Sequence, residues 1–400
     1  MKILFLTLLD FSSYEEKGIY SDLCRSFIQN GHELYCISPS ERRTGVETHF
    51  EENGRLLKLK IGNTQKTNIV EKGISTLRIE SQFIAAVKKY FKDVHFDLIL
   101  YSTPPITLVG AIRYIKKRDR AKTYLLLKDI FPQNAVDLGM MRKTGFKALL
   151  YRYFRRKEKK LYAVSDRIGC MSQANVDYVL AQNPEISADR VEVCPNSMET
   201  RAFSLTDDER NAMRAKYGIP LDKTVFVYGG NLGKPQGIPF VIECLKTQER
   251  NERAFFLIVG DGTEYGKLAS YISETKPQNV KLMQRLDRDD YDRMIAACDV
   301  GMIFLDHRFT IPNFPSRLLG YMQAGLPVLA CTDPNTDLGQ VIAEGGFGWW
   351  RESNDAKQFD SCVAEILESD LEPMKQRGLD YLRQHYTTER SYRIIMRETD

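Results

Sequence analysis

The strongest constraint on the fold is an alternation of short, almost continuously hydrophobic runs with amphipathic stretches along the chain. In the first half the hydrophobic runs fall at 2–9, 33–38, 56–61, 96–102, 123–128, 167–171 and 191–194. Segments with helical spacing lie between several of them, at 16–30, 75–92, 106–118 and 145–163. Strands that lack polar alternation are buried on both faces, so the pattern predicts a parallel sheet covered by helices on each side.

The second half repeats this pattern and predicts a second domain of the same class. Its hydrophobic runs are 224–228, 255–259, 280–283, 300–305 and 327–330. The Pro195-Asn196-Ser197 turn marks the boundary between the halves. We therefore expect an α/β chain with two Rossmann-like doubly wound domains, 1–198 and 199–384. Because ligands bind beyond the carboxyl ends of parallel strands, we also expect a ligand cleft between these domains.

Cysteine usage and the lack of long apolar runs predict an intracellular protein. The eight cysteines are scattered singly, with no C-x-x-C pair, which is typical of buried thiols in a reducing compartment. No apolar run approaches the ~18 residues that span a bilayer. The opening run ends at Asp10 with no small-residue cleavage site after it, which argues against a signal peptide.

Charge is distributed unevenly and predicts a membrane-facing helix. Residues 1–200 carry 32 Lys and Arg against 23 Asp and Glu, whereas residues 201–400 carry 25 against 30. Within 142–160, nine basic residues accompany Glu158 as the only acid. Apolar residues such as Phe146, Leu149 and Tyr153 are interleaved with them at helical spacing, so one face would touch lipid while its flanks meet anionic headgroups. The predicted membrane-contact residues are Arg155, Arg156, Lys159 and Lys160.

This helix leaves an alternative open, in which its apolar stripe packs on the domain and its charges are merely solvated. No nucleic-acid-binding module accompanies the basic residues, so nucleic acid is not an expected partner. Together with the predicted intracellular compartment, the charge favours a peripheral protein on the cytoplasmic face of the membrane.

A glycine-rich turn and a second short loop follow two strands of the second half. The segment YGGNLGKPQG at 228–237 lies between a strand and a helix at 238–247. Glycines let the backbone approach a ligand, the helix start offers free N–H groups, and Lys234 supplies a cation suited to a diphosphate. The spacing is not that of a P-loop. The next strand ends in VGDG at 259–262, where a plain tight turn is equally open.

A third motif, FTIPNFPSRLLGYMQAGLPVLA at 309–330, follows a buried strand. It predicts a loop, a helix that begins near Pro315 or Ser316, a stop at Gly325 and another buried strand. The helix start would present Ser316 and Arg317 beside unpaired N–H groups, which is again suited to phosphate.

The order of these motifs resembles the carboxyl-terminal domain of retaining glycosyltransferases of family 4, which have the GT-B fold. The resemblance rests on GNLGK at 230–234, VGDG at 259–262, ACDV at 297–300, and PSRLL at 315–319 before AGLPV at 324–328. In the first half, LKDIFPQN at 127–134 is similar to the Asp-x-x-Pro segment of the bacterial capsule and O-antigen branch, and VCPNS at 193–197 to the usual hinge entry. The resemblance covers nearly the whole chain.

This resemblance implies a nucleotide-sugar donor, with UDP favoured, held mainly by the second domain. It implies a glycan acceptor, linked to polyprenyl diphosphate, held mainly by the first. The implied donor-binding residues are Gly18, Gly230, Asn231, Lys234, Gly260, Gly262, Arg285, Ser316 and Arg317. For the loop around Gly18, a helix-capping role is equally open. In the family the last helix crosses back onto the first domain, and the matching segment here is 385–400.

Two departures from the family pattern concern the donor site. Family members carry two glutamates separated by seven residues, and the matching positions are Pro312 and Gly320. The second glutamate usually holds the nucleotide ribose, so ribose recognition here must come from other groups. The usual arginine of the glycine-rich turn is replaced by Asn231, which leaves more of the phosphate charge to Lys234.

A retaining transfer on this fold needs no protein nucleophile, because the acceptor hydroxyl can attack on the face that the diphosphate leaves. Cations such as Lys234 would stabilise the leaving charge. Asp129 would orient or deprotonate the acceptor, or else it caps the turn before Pro132. Asn134 is a candidate for acceptor binding. We expect no cofactor and no metal, because no D-x-D motif lies at a plausible strand end.

Three other functions remain open. A nucleotide-sugar epimerase of the same fold would need several acids or bases in the cleft, and few are evident. A non-catalytic subunit that binds sugar nucleotides is compatible with the missing glutamates. A dinucleotide-dependent dehydrogenase is disfavoured because no G-x-G-x-x-G motif opens either half.

Overall fold

A computed structural model of the protein describes residues 1–64, 67, 69–145, 148–201 and 204–397. The chain divides into two compact units. Unit 1 comprises Met1–Glu199 together with the segment from Thr388, and unit 2 is Thr200–Thr387. The predicted domain bounds differ from these by one to three residues.

Unit 1 is built on a sheet that has eight strands among the described residues. The strands are β1 (Lys2–Leu6), β2 (Glu33–Glu41), β3 (His49–Glu51), β4 (Leu56–Ile61), β5 (Leu98–Ser102), β6 (Lys122–Leu127), β7 (Arg167–Cys170) and β8 (Val191–Val193). Their order is β3-β4-β2-β1-β5-β6-β7-β8, and only β3 is antiparallel to its neighbour. All carboxyl ends of the parallel strands therefore lie at one edge.

Helices cover both faces of this sheet. They are α1 (Ile19–Gln29), α2 (Ile69–Tyr90), α3 (Val109–Asp119), α4 (Gln133–Asp137), α5 (Ala148–Val164) and α6 (Gln173–Gln182). One face packs against α2, α3, α5 and α6 through a large apolar core, and the other face packs against α1. Phe146 and Lys147, which the sequence places at the start of α5, lie outside the described residues.

Unit 2 contains a parallel sheet of six described strands in the order β11-β10-β9-β12-β13-β14. The strands are β9 (Thr224–Asn231), β10 (Ala254–Asp261), β11 (Val280–Met283), β12 (Val300–Phe304), β13 (Val328–Thr332) and β14 (Gly348–Glu352). The helices are α7 (Asp207–Lys216), α8 (Ile238–Thr247), α9 (Tyr265–Thr275), α10 (Arg288–Ala296), α11 (Arg317–Gln323), α12 (Leu338–Gly345), α13 (Ala356–Leu367) and α14 (Glu372–His385). Two doubly wound α/β units are thus confirmed.

The last helix, α15 (Thr388–Met396), belongs to unit 1 and packs against α1. The Tyr392 hydroxyl lies 2.9 Å from His32 Nε2, and its ring meets Phe27 edge-on at a centroid distance of 5.3 Å. Ile395 and Met396 complete the apolar core on this face of the sheet. The tail therefore returns to the first unit, with a start three residues later than predicted; residues 398–400 lie outside the described part of the chain.

The sequence pattern did not predict two of the strands, and it predicted one strand to be longer than it is. β3 is short and mostly exposed, and β14 contains two tryptophans with charged neighbours, so neither shows a continuous apolar run. β1 ends at Leu6 instead of residue 9, because Leu9 is half exposed in the loop that follows.

Candidate functional site

The carboxyl-terminal edge of the unit 2 sheet collects most of the residues that were assigned to the donor. Because all six strands are parallel, the loops after β9, β10, β11 and β12 lie along this one edge. Leu232 N–H donates to Asp261 O at 2.7 Å, and Asp306 N–H donates to Pro235 O at 2.9 Å. Backbone hydrogen bonds therefore tie the glycine-rich turn to the loops on either side. Arg285 lies exposed in the loop after β11.

Gly260 and Gly262 are required by backbone packing. A Cβ at Gly260 would lie 1.8 Å from Gly230 O, and a Cβ at Gly262 would lie 2.4 Å from Leu232 O. Gly262 also has φ +154, in the region that favours glycine. The two glycines thus let the β10 loop lie directly on the glycine-rich turn. Contact of either residue with a nucleotide stays a prediction.

Arg317 is the most distinctive cation at this edge. Its guanidinium stacks over the Tyr228 ring at 4.3 Å from the centroid. It also lies 3.4 Å from the place that a Cβ at Gly230 would occupy, and Gly230 has φ +128. Arg317 Nη1 is buried and has no hydrogen-bond partner among the described residues. A buried donor without a partner loses free energy unless a ligand or water satisfies it.

Lys234 and Asn231 lie in the same turn but differ in their hydrogen bonding. Lys234 is exposed, and within the described structure its ammonium makes no hydrogen bond. Asn231 Nδ2 donates to Gln236 Oε1 at 3.0 Å, and Gly233 N–H donates to the same oxygen at 3.1 Å. The Asn231 amide therefore holds the shape of the turn, and Lys234 is the side chain left available to an anion.

The two positions at which the family glutamates are missing differ in their surroundings. A Cβ added at Gly320, on α11, would meet no heavy atom within 4 Å. Pro312 is buried. Next to it, Asn313 Nδ2 is buried and lacks a partner among the described residues, while Asn313 O accepts from Thr336 Oγ1 at 2.6 Å. Space is thus open at Gly320, and an unused amide donor lies beside Pro312.

Sequence reasoning missed Asp333, which directly follows β13. Its side chain is fully buried, and burial raises its pKa to about 6 although two backbone N–H groups donate to the carboxylate. Asp333 Oδ2 has no partner among the described residues. An acid directly after a buried strand is the signal that would have identified it.

Asp129 lies at the carboxyl end of β6 in unit 1. Asn134 Nδ2 donates to both carboxylate oxygens, at 2.8 and 2.9 Å, and Thr103 Oγ1 accepts from Asp129 N–H. Burial raises the pKa of Asp129 to about 6, although the hydrogen bond from Asn134 opposes this effect. Asn134 Oδ1 is buried without a partner among the described residues, so this pair offers both a carboxylate and an unused acceptor.

Two further residues at this edge of unit 1 have structural partners. Burial lowers the pKa of Lys128 to about 8, and Lys128 Nζ donates to Cys194 O at 3.0 Å.

Gly18 lies directly before α1 with φ 175, which is extended backbone, and its carbonyl accepts from Asp22 N–H at 2.8 Å. Glu16 Oε1 accepts from Ser12 N–H at 2.8 Å in the preceding loop. No side chain of this loop caps the start of α1. Contact of Gly18 with a donor stays a prediction.

Helix α5 has two unlike faces, and Arg155 is on the inner one. Arg155 donates to Glu158 Oε2 at 2.6 Å, to Gln182 O at 2.8 Å and to Asn183 Oδ1 at 2.7 Å. These three partners, and a side chain that is only 20% exposed, argue against membrane contact by Arg155, which stays a prediction.

On the opposite face of α5, apolar and basic side chains are both exposed. Leu149, Leu150 and Tyr153 are 59%, 52% and 39% exposed. Arg156 and Lys160 are exposed on the same face, because residues 149, 153, 156 and 160 share one side of a helix. Lys159 is exposed at the flank and pairs with Glu185 at 3.0 Å. We call Leu149, Leu150, Tyr153, Arg156 and Lys160 the outer face of α5.

The described residues contain neither a helix suited to cross a membrane nor a cluster suited to bind a metal. None of their helices combines the length and the apolar character that crossing a membrane requires. Among the same residues, no group of three or more His, Cys, Asp or Glu side chains is arranged to hold a metal ion.

Comparison with known proteins identifies both halves of the chain. The family model described as glycosyl transferases group 1 matches residues 209–380, and the model for glycosyltransferase family 4 matches residues 20–202. A probable glycosyltransferase of Pseudomonas aeruginosa, WbjE, is 24% identical over 330 residues, which cover 82% of this chain and 80% of that protein. A putative colanic acid biosynthesis glycosyl transferase of Escherichia coli K12, WcaI, is 24% identical over 61% of this chain and 60% of its own length.

Solved structures show the same fold. HepE of Anabaena, determined in complex with UDP, superposes with a TM-score of 0.68 at 16% identity, and the match covers 100% of this chain and 99% of that one. The two family models together span nearly the whole chain, in the order that the sequence motifs predicted. The chain therefore belongs to the glycosyltransferases, with a glycosyltransferase family 4 domain followed by a glycosyl transferases group 1 domain, and it has the GT-B fold.

Proposed function

We propose that this glycosyltransferase moves a sugar from a nucleoside diphosphate donor, with UDP favoured, to a lipid-linked glycan acceptor, with retention of configuration. The observation that carries the donor assignment is the buried Nη1 of Arg317 beside Gly230, which is unsatisfied among the described residues. Exposed Lys234 lies on the same edge of the sheet. Guanidinium and ammonium groups suit the two phosphates of such a donor. The preference for UDP is supported by HepE, which binds UDP.

The chemistry proposed for this donor needs no protein nucleophile. An acceptor hydroxyl oxygen forms a bond to the anomeric carbon while the bond from that carbon to the diphosphate oxygen breaks. The hydroxyl proton goes to a donor phosphate oxygen or to Asp129, and Lys234 and Arg317 stabilise the charge on the departing diphosphate. Above pH ~6, Asp129 is mostly ionised and able to accept a hydrogen bond from the hydroxyl.

Acceptor binding is proposed for the first unit, close to Asp129. Asn134 holds both carboxylate oxygens and leaves its own Oδ1 buried and unsatisfied among the described residues. A sugar hydroxyl that donates to Asn134 Oδ1 would lie next to the carboxylate. This arrangement supports Asn134 as an acceptor-binding residue.

We propose that the enzyme is a peripheral protein on the cytoplasmic face of the membrane and that the outer face of α5 is its membrane contact. Three exposed apolar side chains flanked by exposed cations fit an anionic interface. Each cation near such a surface contributes about 1 kcal/mol, so an Arg156→Ala, Lys160→Ala double variant should bind anionic vesicles roughly thirtyfold less tightly. Lys88→Ala, Lys92→Ala removes the same charge from α2 and the turn after it and should leave vesicle binding unchanged. Equal loss in both double variants would contradict a specific contact.

A thermal-shift panel of UDP, GDP, CDP, ADP, dTDP and NAD tests the donor assignment. A nucleotide at 100 times its dissociation constant stabilises the protein by about 2.7 kcal/mol. We expect one diphosphate to shift the transition selectively, and Lys234→Ala to reduce that shift. Lys246→Ala is the matched control, because Lys246 is an exposed lysine in the last turn of α8, paired with Glu243. The donor assignment fails if no diphosphate shifts the transition, or if NAD alone does.

A further inference from the structure

Tyr291, in the first turn of α10, reaches the glycine-rich turn that follows β9. A Cβ at Gly229 would lie 1.8 Å from the Tyr291 hydroxyl oxygen, so the hydroxyl occupies space that only a glycine at this position leaves open. Gly229 precedes Gly230, which is exposed near the carboxyl end of β9. The tyrosine hydroxyl therefore lies beside the turn that carries the candidate phosphate-binding residues, at the same edge of the unit 2 sheet.

The Tyr291 hydroxyl has unused hydrogen-bonding capacity. It makes no hydrogen bond within the part of the chain that the structure describes, and the side chain is partly buried. Burial raises the pKa of this hydroxyl to about 12, although the nearby Arg317 opposes this effect. The hydroxyl consequently keeps its proton at neutral pH and is a hydrogen-bond donor. A partly desolvated donor without a partner loses free energy that an acceptor oxygen of a ligand would restore.

The Arg317 guanidinium is the cation next to this hydroxyl, which indicates the charge of the ligand. Its Nη2 atom lies 3.4 Å from the place that a Cβ at Gly230 would occupy, one residue along the turn from the Tyr291 hydroxyl. The guanidinium stacks on the Tyr228 ring, and no carboxylate among the described residues forms an ion pair with it. A buried cation without an acidic partner favours an anion, and an anion with several oxygens can accept hydrogen bonds from both groups.

We infer that Tyr291 is a further donor-binding residue, whose hydroxyl donates a hydrogen bond to an oxygen of the diphosphate that Arg317 binds. The inference rests on the proposed function and extends it, since it adds a neutral hydrogen-bond donor from α10 to the diphosphate site. This group compensates in part for the arginine that is absent at Asn231, whose own amide is occupied by Gln236.

Calorimetric titration with UDP, or with the other diphosphate that the thermal-shift panel selects, tests this residue. We expect Tyr291→Phe to bind the diphosphate about tenfold or more weakly than the wild type, because a hydrogen bond to a charged phosphate is lost. The midpoint of thermal unfolding without nucleotide should stay close to that of the wild type, because the hydroxyl bonds to no described residue.

Tyr381→Phe is the matched control for this titration. It also removes a hydroxyl that makes no hydrogen bond among the described residues of unit 2. The Tyr381 ring contacts Phe347 at a centroid distance of 5.3 Å, directly before β14 begins at Gly348. Tyr381 therefore lies at the amino-terminal edge of the sheet, opposite the candidate donor site, and Tyr381→Phe should bind the diphosphate as tightly as the wild type.

Phosphorus NMR of the saturated complexes separates a direct contact from an indirect effect. The resonances of the bound diphosphate should shift in Tyr291→Phe and stay in place in Tyr381→Phe. The inference is overturned if Tyr291→Phe binds as tightly as the wild type, if both variants lose affinity equally, or if weaker binding leaves the phosphorus resonances unchanged. Binding by the wild type with an unaffected Tyr291→Phe removes Tyr291 alone, whereas a wild type that binds none of the diphosphates also removes the donor assignment.

Discussion

Replacing Asp129 by asparagine should make the stability difference between variant and wild type depend on pH. The pKa of Asp129 is raised from 3.8 to about 6, chiefly by burial. A carboxyl whose folded pKa lies above its unfolded value stabilises the protein below the unfolded pKa, and this contribution is lost as the pH rises through the folded pKa. With these two values, the wild type loses about 2 kcal/mol of unfolding free energy from this group between pH 4.5 and 7.5.

The amide introduced by Asp129→Asn does not titrate, so the variant lacks this loss. We therefore expect the free energy of unfolding of Asp129→Asn, relative to the wild type, to rise by about 2 kcal/mol between pH 4.5 and 7.5. Asp333 has a similar pKa, but it titrates equally in both proteins and cancels from the difference. The two units need not unfold together. Urea unfolding followed by hydrogen exchange in peptides of β6 reports on unit 1.

Asp166→Asn provides the control for this experiment. Although burial raises the pKa of Asp166, hydrogen bonds from Lys116 and Thr123 outweigh burial and lower it below its ordinary value. The contribution of Asp166 is therefore present throughout pH 4.5–7.5 and is lost only at lower pH. The cost of Asp166→Asn should be constant across that window. A constant difference for Asp129→Asn as well would refute a buried carboxylate with a raised pKa at the end of β6.

Three substitutions test other parts of the structure. Gly260→Ala should destabilise unit 2 by about 1–3 kcal/mol or more and abolish the nucleotide thermal shift, because its Cβ would meet Gly230 O. Gly266 has open space around the position of a Cβ, so the control Gly266→Ala should change stability by less than about 1 kcal/mol. Equal losses of stability in the two variants would contradict the packing argument. Gly320→Glu should fold and increase the UDP thermal shift, whereas a shift no larger than that of Gly320→Ala would mean that the open space does not face the ribose. Arg214→Met removes a buried guanidinium from the partly exposed Asp299, which keeps Arg210 as its second cation, and should cost about 1–3 kcal/mol in urea unfolding. The exposed Arg253–Glu368 pair is the control, and Arg253→Ala should cost less than about 1 kcal/mol.

Much of the candidate donor site at the carboxyl-terminal edge of the unit 2 sheet could be predicted from the sequence, because it depends on local sequence patterns. A buried strand followed by glycines and a helix fixes both the element order and the edge on which the loop lies. Gly230, Lys234 and Arg317 therefore fell on the same edge of unit 2. What the sequence could not show is that Gly260 is forced by contact with Gly230 O, because this contact joins paired residues of two strands, β10 and β9, that are 30 positions apart in the sequence.

Residues whose role depends on long-range burial escaped sequence analysis. Asp333 is a single acid after a strand in the sequence, and only the packed sheet shows that it is fully buried, with an oxygen that is unsatisfied among the described residues.

Helix α5 shows that the number of charges in a segment does not predict which of its cations face outward. Arg155 and Arg156 are adjacent in the sequence and were assigned the same role, yet a helix turns by about 100° per residue. Tyr151, Arg155 and Glu158 consequently share the inner face, while Tyr153, Arg156 and Lys160 share the outer one. Charge density along the chain predicted that this helix would meet an anionic surface, but only its rotation about its own axis decides which cations are available. Vesicle binding should therefore depend on Arg156 and Lys160, whereas removal of Arg155 should destabilise unit 1, because Glu158 would remain buried without its cation.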